Sequence, residues 1–173
     1  MLATSPTLRF NRDTRHPGGG TLPAMVALVQ DVAGNPVAAH RTFLRPDGTG
    51  KASIEPNRAS LGPLWRGAIR LHPIAVELVV GEGIETAAAA GVLLGLPSWA
   101  ALSAGNLARA LALPPDVRRV VIASDHDDPG RLAAKEAAMR WKAEGRVVRV
   151  ALPDRAGHDF ADVLMARASA NHG

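Results

Sequence analysis

The sequence predicts an α/β fold, a mostly parallel sheet flanked by helices and preceded by a small N-terminal subdomain that contains a β-hairpin. Three observations lead there. From residue 75 onward, apolar runs of strand length alternate with helix-prone segments, the pattern of βαβ crossovers. Before that point, two runs of strand propensity flank a turn. Hydrophobic residues make up 47% of the 173 positions, enough to fill a packed core.

In chain order, residues 1–23 read as a poorly structured lead-in, because "HPGGGTLP" holds neither a helix nor a central strand. The runs around 24–30 and 36–44 flank "DVAGNP", whose residues are turn formers, so a hairpin is expected. "RPDGTG" is a further turn, and residues 52–73 read as irregular, bent at Pro56, Pro63 and Pro73. This sets a basic subdomain over 1–74 and an α/β domain over 75–173. In the latter, "AVELVVGEG" is a strand and "ETAAAAGVLLGL" a helix. "SWAALSAG" is a second strand and "NLARALAL" a short helix. "RRVVIASD" is a third strand, followed by the helix "GRLAAKEAAMRWKAEG", which stops at Gly145. "RVVRVALP" and "DFADVLMARASA" supply a fourth strand and a closing helix.

Composition excludes several chemistries. With no Cys there is no disulfide, thiolate catalysis or Cys-based zinc site. Aromatic residues are 3% of the chain and Tyr is absent, so stacking on aromatic platforms is not its main resource. No run reaches membrane-spanning length and no signal-peptide pattern opens the chain, so a cytoplasmic protein is expected. The net charge of +4 comes mostly from Arg. Arg suits forked contacts to phosphate, although an Arg-for-Lys coding bias gives the same excess.

Against that basic background, "VVIASDHDDPGR" gathers Asp125, Asp127 and Asp128 where a core strand surfaces. In open α/β sheets, ligands bind beyond the carboxyl ends of the strands. Glu82 lies just past "ELVV" and Asp125 at the end of "VVIAS", with Asp127 two residues on. These three carboxylates should converge at one sheet edge. Such a group repels itself unless a cation compensates. Mg²⁺, or Mn²⁺ in its place, takes hard oxygen ligands together with substrate phosphates. Asp128, before Pro129, fits the start of a helix, and Asp127 could serve there too. "GEGIET" is a poor dinucleotide fingerprint, since Thr86 stands where the third Gly belongs.

"VVGEGIETA" followed by "VVIASDHDDPGRLAAKEAA", with a strand–helix unit between, resembles a Toprim domain of the primase-like branch found in bacterial, plasmid and phage proteins. The resemblance covers about residues 77–164. It implies Glu82 as the acid of the first motif, a metal ligand or general acid/base, and Asp125 and Asp127 as a metal-binding pair. It places Asp159 and Asp162 of "GHDFADVL" in a further acidic segment as additional metal ligands, where they could equally cap the last helix. Glu85 reads as a first-turn helix residue or a support to the acids. Upstream, "DVAGNPVAAHRTFL" and "GTGKA" are similar to the basic subdomain of DnaG-type primases. By that likeness Arg41 and Lys51 would contact nucleotide or template phosphate, with a solvated strand position as the alternative for Arg41. Gly105 in "SAGN" fits a close phosphate approach or a plain turn. Arg131, Lys135 and Lys142 share one stripe of a helix, which would hold a nucleic-acid backbone or simply face solvent.

The resemblance implies a primase-like nucleotidyltransferase that makes short primers on single-stranded DNA from nucleoside triphosphates. A metal-dependent Toprim nuclease and a non-catalytic nucleic-acid-binding module are the alternatives. A topoisomerase would want a nucleophilic Tyr. Primases usually carry a Cys-rich zinc-binding region and a helicase or helicase-binding part. The opening "SPTLRFNRDTRHPGGG" begins mid-pattern, as expected of a core cut from a longer chain that has those parts or borrows them.

Overall fold

The computed structural model describes residues 5–155 and 157–170. The first sheet is antiparallel, with order β1-β2-β3-β4. Its strands are β1 (Leu8–Arg15), β2 (Thr21–Gln30), β3 (Pro36–Phe43) and β4 (Arg58–Leu61). The second has the order β5-β7-β6-β8-β9. It comprises β5 (Ile69–Arg70), β6 (Glu77–Gly81), β7 (Ser98–Ala100), β8 (Arg119–Ala123) and β9 (Val147–Ala151). Strands β6 to β9 run parallel, and β5 lies antiparallel to β7 at the edge. The helices are α1 (Ile84–Leu94), α2 (Ala104–Arg109), α3 (Asp128–Ala143) and α4 (Phe160–Ala170). No helix among the described residues is long and apolar enough to cross a membrane.

The expected hairpin is β2–β3. Its turn closes through Gly34 N–H to Asp31 O and Asn35 N–H to the Asp31 carboxylate. Gly34 sits at φ +92°, a conformation that side chains with a Cβ avoid.

Two expectations are corrected. Residues 8–15, placed in a poorly structured lead-in, form β1 and pair along β2 with an irregularity between Asn11 and Thr14. "HPGGG" is the turn that joins them, closed by His16 N–H to Gly20 O. The strand was hidden because Arg9 to Asp13 are all exposed, so an edge strand shows no apolar alternation. Likewise the segment read as irregular over 52–73 holds β4 and β5.

In the parallel sheet both faces are covered, which is why its strands read as continuous apolar runs. Leu78, Val80, Val120 and Ile122 face Ala134, Ala137 and Trp141 of α3 and Leu107 of α2. Their alternates Val79, Val121 and Ala123 face Ala89 and Ala90 of α1 and Phe160 of α4. A third apolar cluster joins the two sheets, with Ala27, Val29 and Ala38 against Ile69, Ile84, Ala87 and Ala100. Strand β6 lies between β7 and β8. The chain leaves β6 toward β7 and leaves β8 toward β9, so the direction of winding reverses between β6 and β8. A crevice opens at such a switch point, beyond the strands' carboxyl ends.

Candidate active site

Glu82 follows β6 at that crevice. Its carbonyl accepts Leu102 N–H at 2.8 Å, which ties the β6 end to the segment after β7. A Cβ on Gly81 would lie 2.9 Å from Ala87 N, so only glycine lets α1 start this close to the strand. Burial and then the neighbouring Asp125 push the Glu82 carboxyl above its ordinary range, against the backbone N–H of Ala104 that it accepts.

Asp125 follows β8. Burial raises its carboxyl as well, Asp159 and Asp127 add to this, and a hydrogen bond from Thr86 opposes it. That bond runs from Thr86 Oγ1 to Asp125 Oδ1 at 3.2 Å. Thr86 is buried in the first turn of α1, so α1 itself braces the acid of the neighbouring strand.

A cleft of about 300 Å³ is lined by Glu82, Asp125, Asp159 and Asp162 together with Lys51 and Arg58. A smaller one of about 200 Å³ is lined by Asp125, Asp127, Asp159 and Asp162 together with His126 and His158. The structure thus brings all five expected acids to one end of the sheet, with three of them shared by the two clefts. Among the described residues, no three His, Asp or Glu are grouped closely enough to hold a metal ion as they stand.

Several of these acids hold local structure too. Asp127 is the N-cap of α3, its Oδ1 accepting Gly130 N–H at 2.7 Å. Asp159 and Asp162 exchange backbone bonds, Asp162 N–H to Asp159 Oδ1 at 2.9 Å and Asp159 N–H to Asp162 Oδ2 at 3.1 Å. This reciprocal pair is a capping box at the start of α4. Asp159 and Asp162 therefore cap α4 while also lining both clefts. His126 is turned aside, its Nδ1 engaged by Pro153 O.

The basic wall comes from the first sheet. Lys51 Nζ lies 2.8 Å from Glu85 Oε1, and Arg58 lies 3.7 Å from the same oxygen. Burial pushes the Glu85 carboxyl up, but the Lys51 hydrogen bond and the two cations outweigh it and leave it below its ordinary range. Glu85 is therefore the post that fixes both cations beside the acids.

Other expected site residues lie elsewhere. Arg41 is on the opposite pleat of β3 from Thr42, buried, with Nη1 donating to Arg15 O and the guanidinium 5.7 Å from the Phe43 ring. It does not reach the cleft. Gly105 lies in the first turn of α2, where a Cβ would crowd the Arg109 guanidinium. Arg131 pairs with Asp128 and Lys135 is exposed, both on the outer side of α3. Sequence reading missed Arg58 and Thr86. Arg58 lies in a short strand between Pro56 and Pro63 that carries no apolar period, and no local pattern marks Thr86 as the partner of Asp125.

A parallel sheet with acids at its switch point and cations brought in from a preceding antiparallel sheet defines the class of fold. Family models match in two places, a Toprim domain over residues 77–170 and a domain of unknown function over residues 1–71. The chain belongs to the Toprim-domain family. No curated protein matches the sequence. Among solved structures, the primase fragment of the bacteriophage T7 primase-helicase protein is similar with a TM-score of 0.67 at 16% identity, covering 99% of this chain and 67% of that one. A DNA primase domain from Pseudomonas aeruginosa gives 0.56 at 19% identity, covering 94% of this chain and 53% of that one. The zinc-binding and RNA polymerase domains of the Aquifex aeolicus primase give 0.60 at 15%, covering 98% and 43%. This chain thus spans about half the length of the two bacterial structures. At these identities the likeness is one of fold, the DnaG-like primase fold.

Proposed function

We propose that this chain is the core of a primase-like nucleotidyltransferase, which joins nucleotides into short primers on single-stranded DNA. The observation that carries the reading is one cleft lined by both signs of charge. Glu82 and Asp125, carboxyls held above their ordinary range, line it together with Lys51 and Arg58.

Carboxylate oxygens gathered against their own repulsion suit a hard divalent cation, so the donor set fits Mg²⁺ or Mn²⁺. Glu82, Asp125 and Asp127 would hold it, with Asp159 and Asp162 beside them. When bound, it supplies charge neutralisation to phosphate oxygens. Lys51 and Arg58 bind phosphates of the nucleotide or template, and Glu85 orients them. Thr86 fixes the rotamer of Asp125. Glu82 is also placed to accept a proton as the new bond forms.

A nucleic-acid-binding module without turnover is the second reading, favoured by one observation. Asp127 already caps α3, and no three acids close on a point among the described residues. The test is primer synthesis on single-stranded DNA with ribo- or deoxyribonucleotides and Mg²⁺ or Mn²⁺, beside an Asp125→Asn/Asp127→Asn control. New oligonucleotides from the wild type only are expected. Loss of template from the wild type only would assign a nuclease instead. Mn²⁺ binding unchanged in the double variant would remove the metal from this site.

A further inference from the structure

Trp99 and Trp141 are 1% and 0% exposed, whereas Trp65 is 58% exposed. A large apolar ring left in water on a mobile loop would need no explanation, but this loop is fixed. Arg66, next to it, is held at φ +68°, a left-handed conformation that strains a residue with a side chain. Buried Asn106 holds it there. Its Oδ1 accepts Arg66 N–H at 2.8 Å, and its Nδ2 donates to Gly67 O at 2.9 Å and Ala101 O at 2.7 Å. Gly67 N–H closes onto Leu64 O at 3.1 Å. The backbone around Trp65 is thus clamped to α2.

Its position matters as much as its rigidity. A Cβ built on Gly105 would lie 4.0 Å from Trp65 Cζ3 and 3.2 Å from Arg109 Nη2. The ring therefore stands against the first turn of α2 with the Arg109 guanidinium near it. Asn106 also holds Ala101 O, and the next residue, Leu102, donates its N–H to the Glu82 carbonyl at 2.8 Å, so the clamp adjoins the Glu82 end of the cleft. Among the described residues Arg109 pairs loosely with Glu136, at 3.8 Å, and its side chain is 66% exposed. An exposed aromatic plane, pinned next to the acid cleft and beside a solvated cation, has the composition that single strands are held by, a stacking surface with a phosphate contact.

We infer that Trp65 is a stacking platform for an unpaired base of single-stranded nucleic acid entering the cleft on the Glu82 side, with Arg109 meeting the adjoining phosphate. This rests on the proposed function and deepens it by naming where the strand is gripped. It also gives the sparse aromatic content a use, since one fixed Trp suffices.

Of the three Trp residues, Trp65 alone is open to solvent, so intrinsic fluorescence reports on it directly. The wild type, Trp65→Ala and Trp65→Phe are titrated in EDTA with labelled oligo(dT), following anisotropy and Trp emission. Expected are quenching of the wild type on binding, an affinity loss of about 5- to 150-fold for Trp65→Ala, and near-wild-type affinity for Trp65→Phe, which keeps a ring. Equal affinity of wild type and Trp65→Ala overturns the platform while leaving primer synthesis by the wild type to stand. Quenching by free nucleoside triphosphate with no preference for the strand overturns the strand assignment. A wild type that neither binds the oligonucleotide nor makes primers removes the functional reading together with this one.

Discussion

Residues 1–74 contain nine Lys or Arg and four Asp or Glu, whereas residues 75–173 contain eleven and twelve. The second region's cations are largely committed to its own backbone and acids. Arg140 donates to the carbonyls of Leu107, Ala108 and Leu111, which ends α2 without a glycine cap. Arg146 donates to Val117 O and Leu113 O. Arg119 and Arg149 both pair with Glu77. In the first region, Lys51 and Arg58 instead project across the junction to Glu85. Counting charge therefore says little about polyanion binding. What decides is whether a cation's donors are already used by carbonyls of its own fold.

The sharpest way to break that comparison is Lys51→Ala. A charge-assisted contact to phosphate contributes about 1.5–3 kcal/mol, so primer synthesis should fall about 10- to 150-fold, read as kcat/KM for the nucleotide. Its pair with Glu85 is partly exposed, and such pairs contribute only about 0–1 kcal/mol, so the melting temperature should barely move. Unchanged kinetics would take Lys51 out of the site and favour a chemistry that uses the Toprim domain alone.

Arg140→Ala should do the reverse. Removing a guanidinium that serves three carbonyls costs roughly 1.5–3 kcal/mol of stability. For a chain of this length that is a drop of several degrees, at about 2–4 °C per kcal/mol. Activity per folded molecule should be unchanged. Equal thermal stability of the variant and the wild type would show that the α2 carbonyls are as well served by water.

The same division explains what was legible in the sequence. The parallel sheet was readable because both of its faces are buried, which makes strands of unbroken apolar runs, and because α3 carries its apolar stripe through Ala134, Ala137, Ala138 and Trp141. Its acids were readable because a carboxylate after an apolar strand has few structural excuses. The first sheet was half hidden. An edge strand such as β1 exposes one residue after another, and β4 is four residues set among prolines, so neither carries a period. Arg58 was lost with β4. Arg41 was misplaced in turn, because which pleat of β3 meets the Toprim half is set by pairing with β2 and by packing between sheets. No local pattern encodes that.

Asp127 stands on the border between the two kinds of residue, a structural cap and a candidate ligand. Asn caps a helix about as well as Asp, while Ala loses about 1 kcal/mol. Asp127→Ala should therefore lower the melting temperature by about 2–4 °C and Asp127→Asn should not. If Asp127 is also a ligand, both variants lose Mn²⁺ affinity. If it is a cap only, Asp127→Asn binds Mn²⁺ as the wild type does, and the metal would rest on Glu82 and Asp125.

The smallest expected effect is on stability without metal. Glu82 and Asp125 titrate above their ordinary range in the folded chain, by burial first and then by neighbouring carboxylates, Asp125 and Asp127 on Glu82, Asp159 and Asp127 on Asp125. At a pH between the unfolded and folded values, the folded state holds protons that the unfolded chain has released. The stability this brings is complete below the unfolded pKa and is lost as pH rises through the folded one. Near pH 7 both groups are costly to keep ionised, and Glu82→Gln should melt on the order of 2 °C higher than the wild type in EDTA. Below the ordinary carboxylate range the difference should vanish. Adding Mg²⁺ should then raise the melting temperature of the wild type more than that of Glu82→Gln, because a cation at the acids relieves the repulsion that the substitution has already removed. Glu82→Gln melting lower than the wild type at pH 7 in EDTA would mean that its bond from Ala104 N–H outweighs the burial of the charge, and that the acidic wall is stable without a cation.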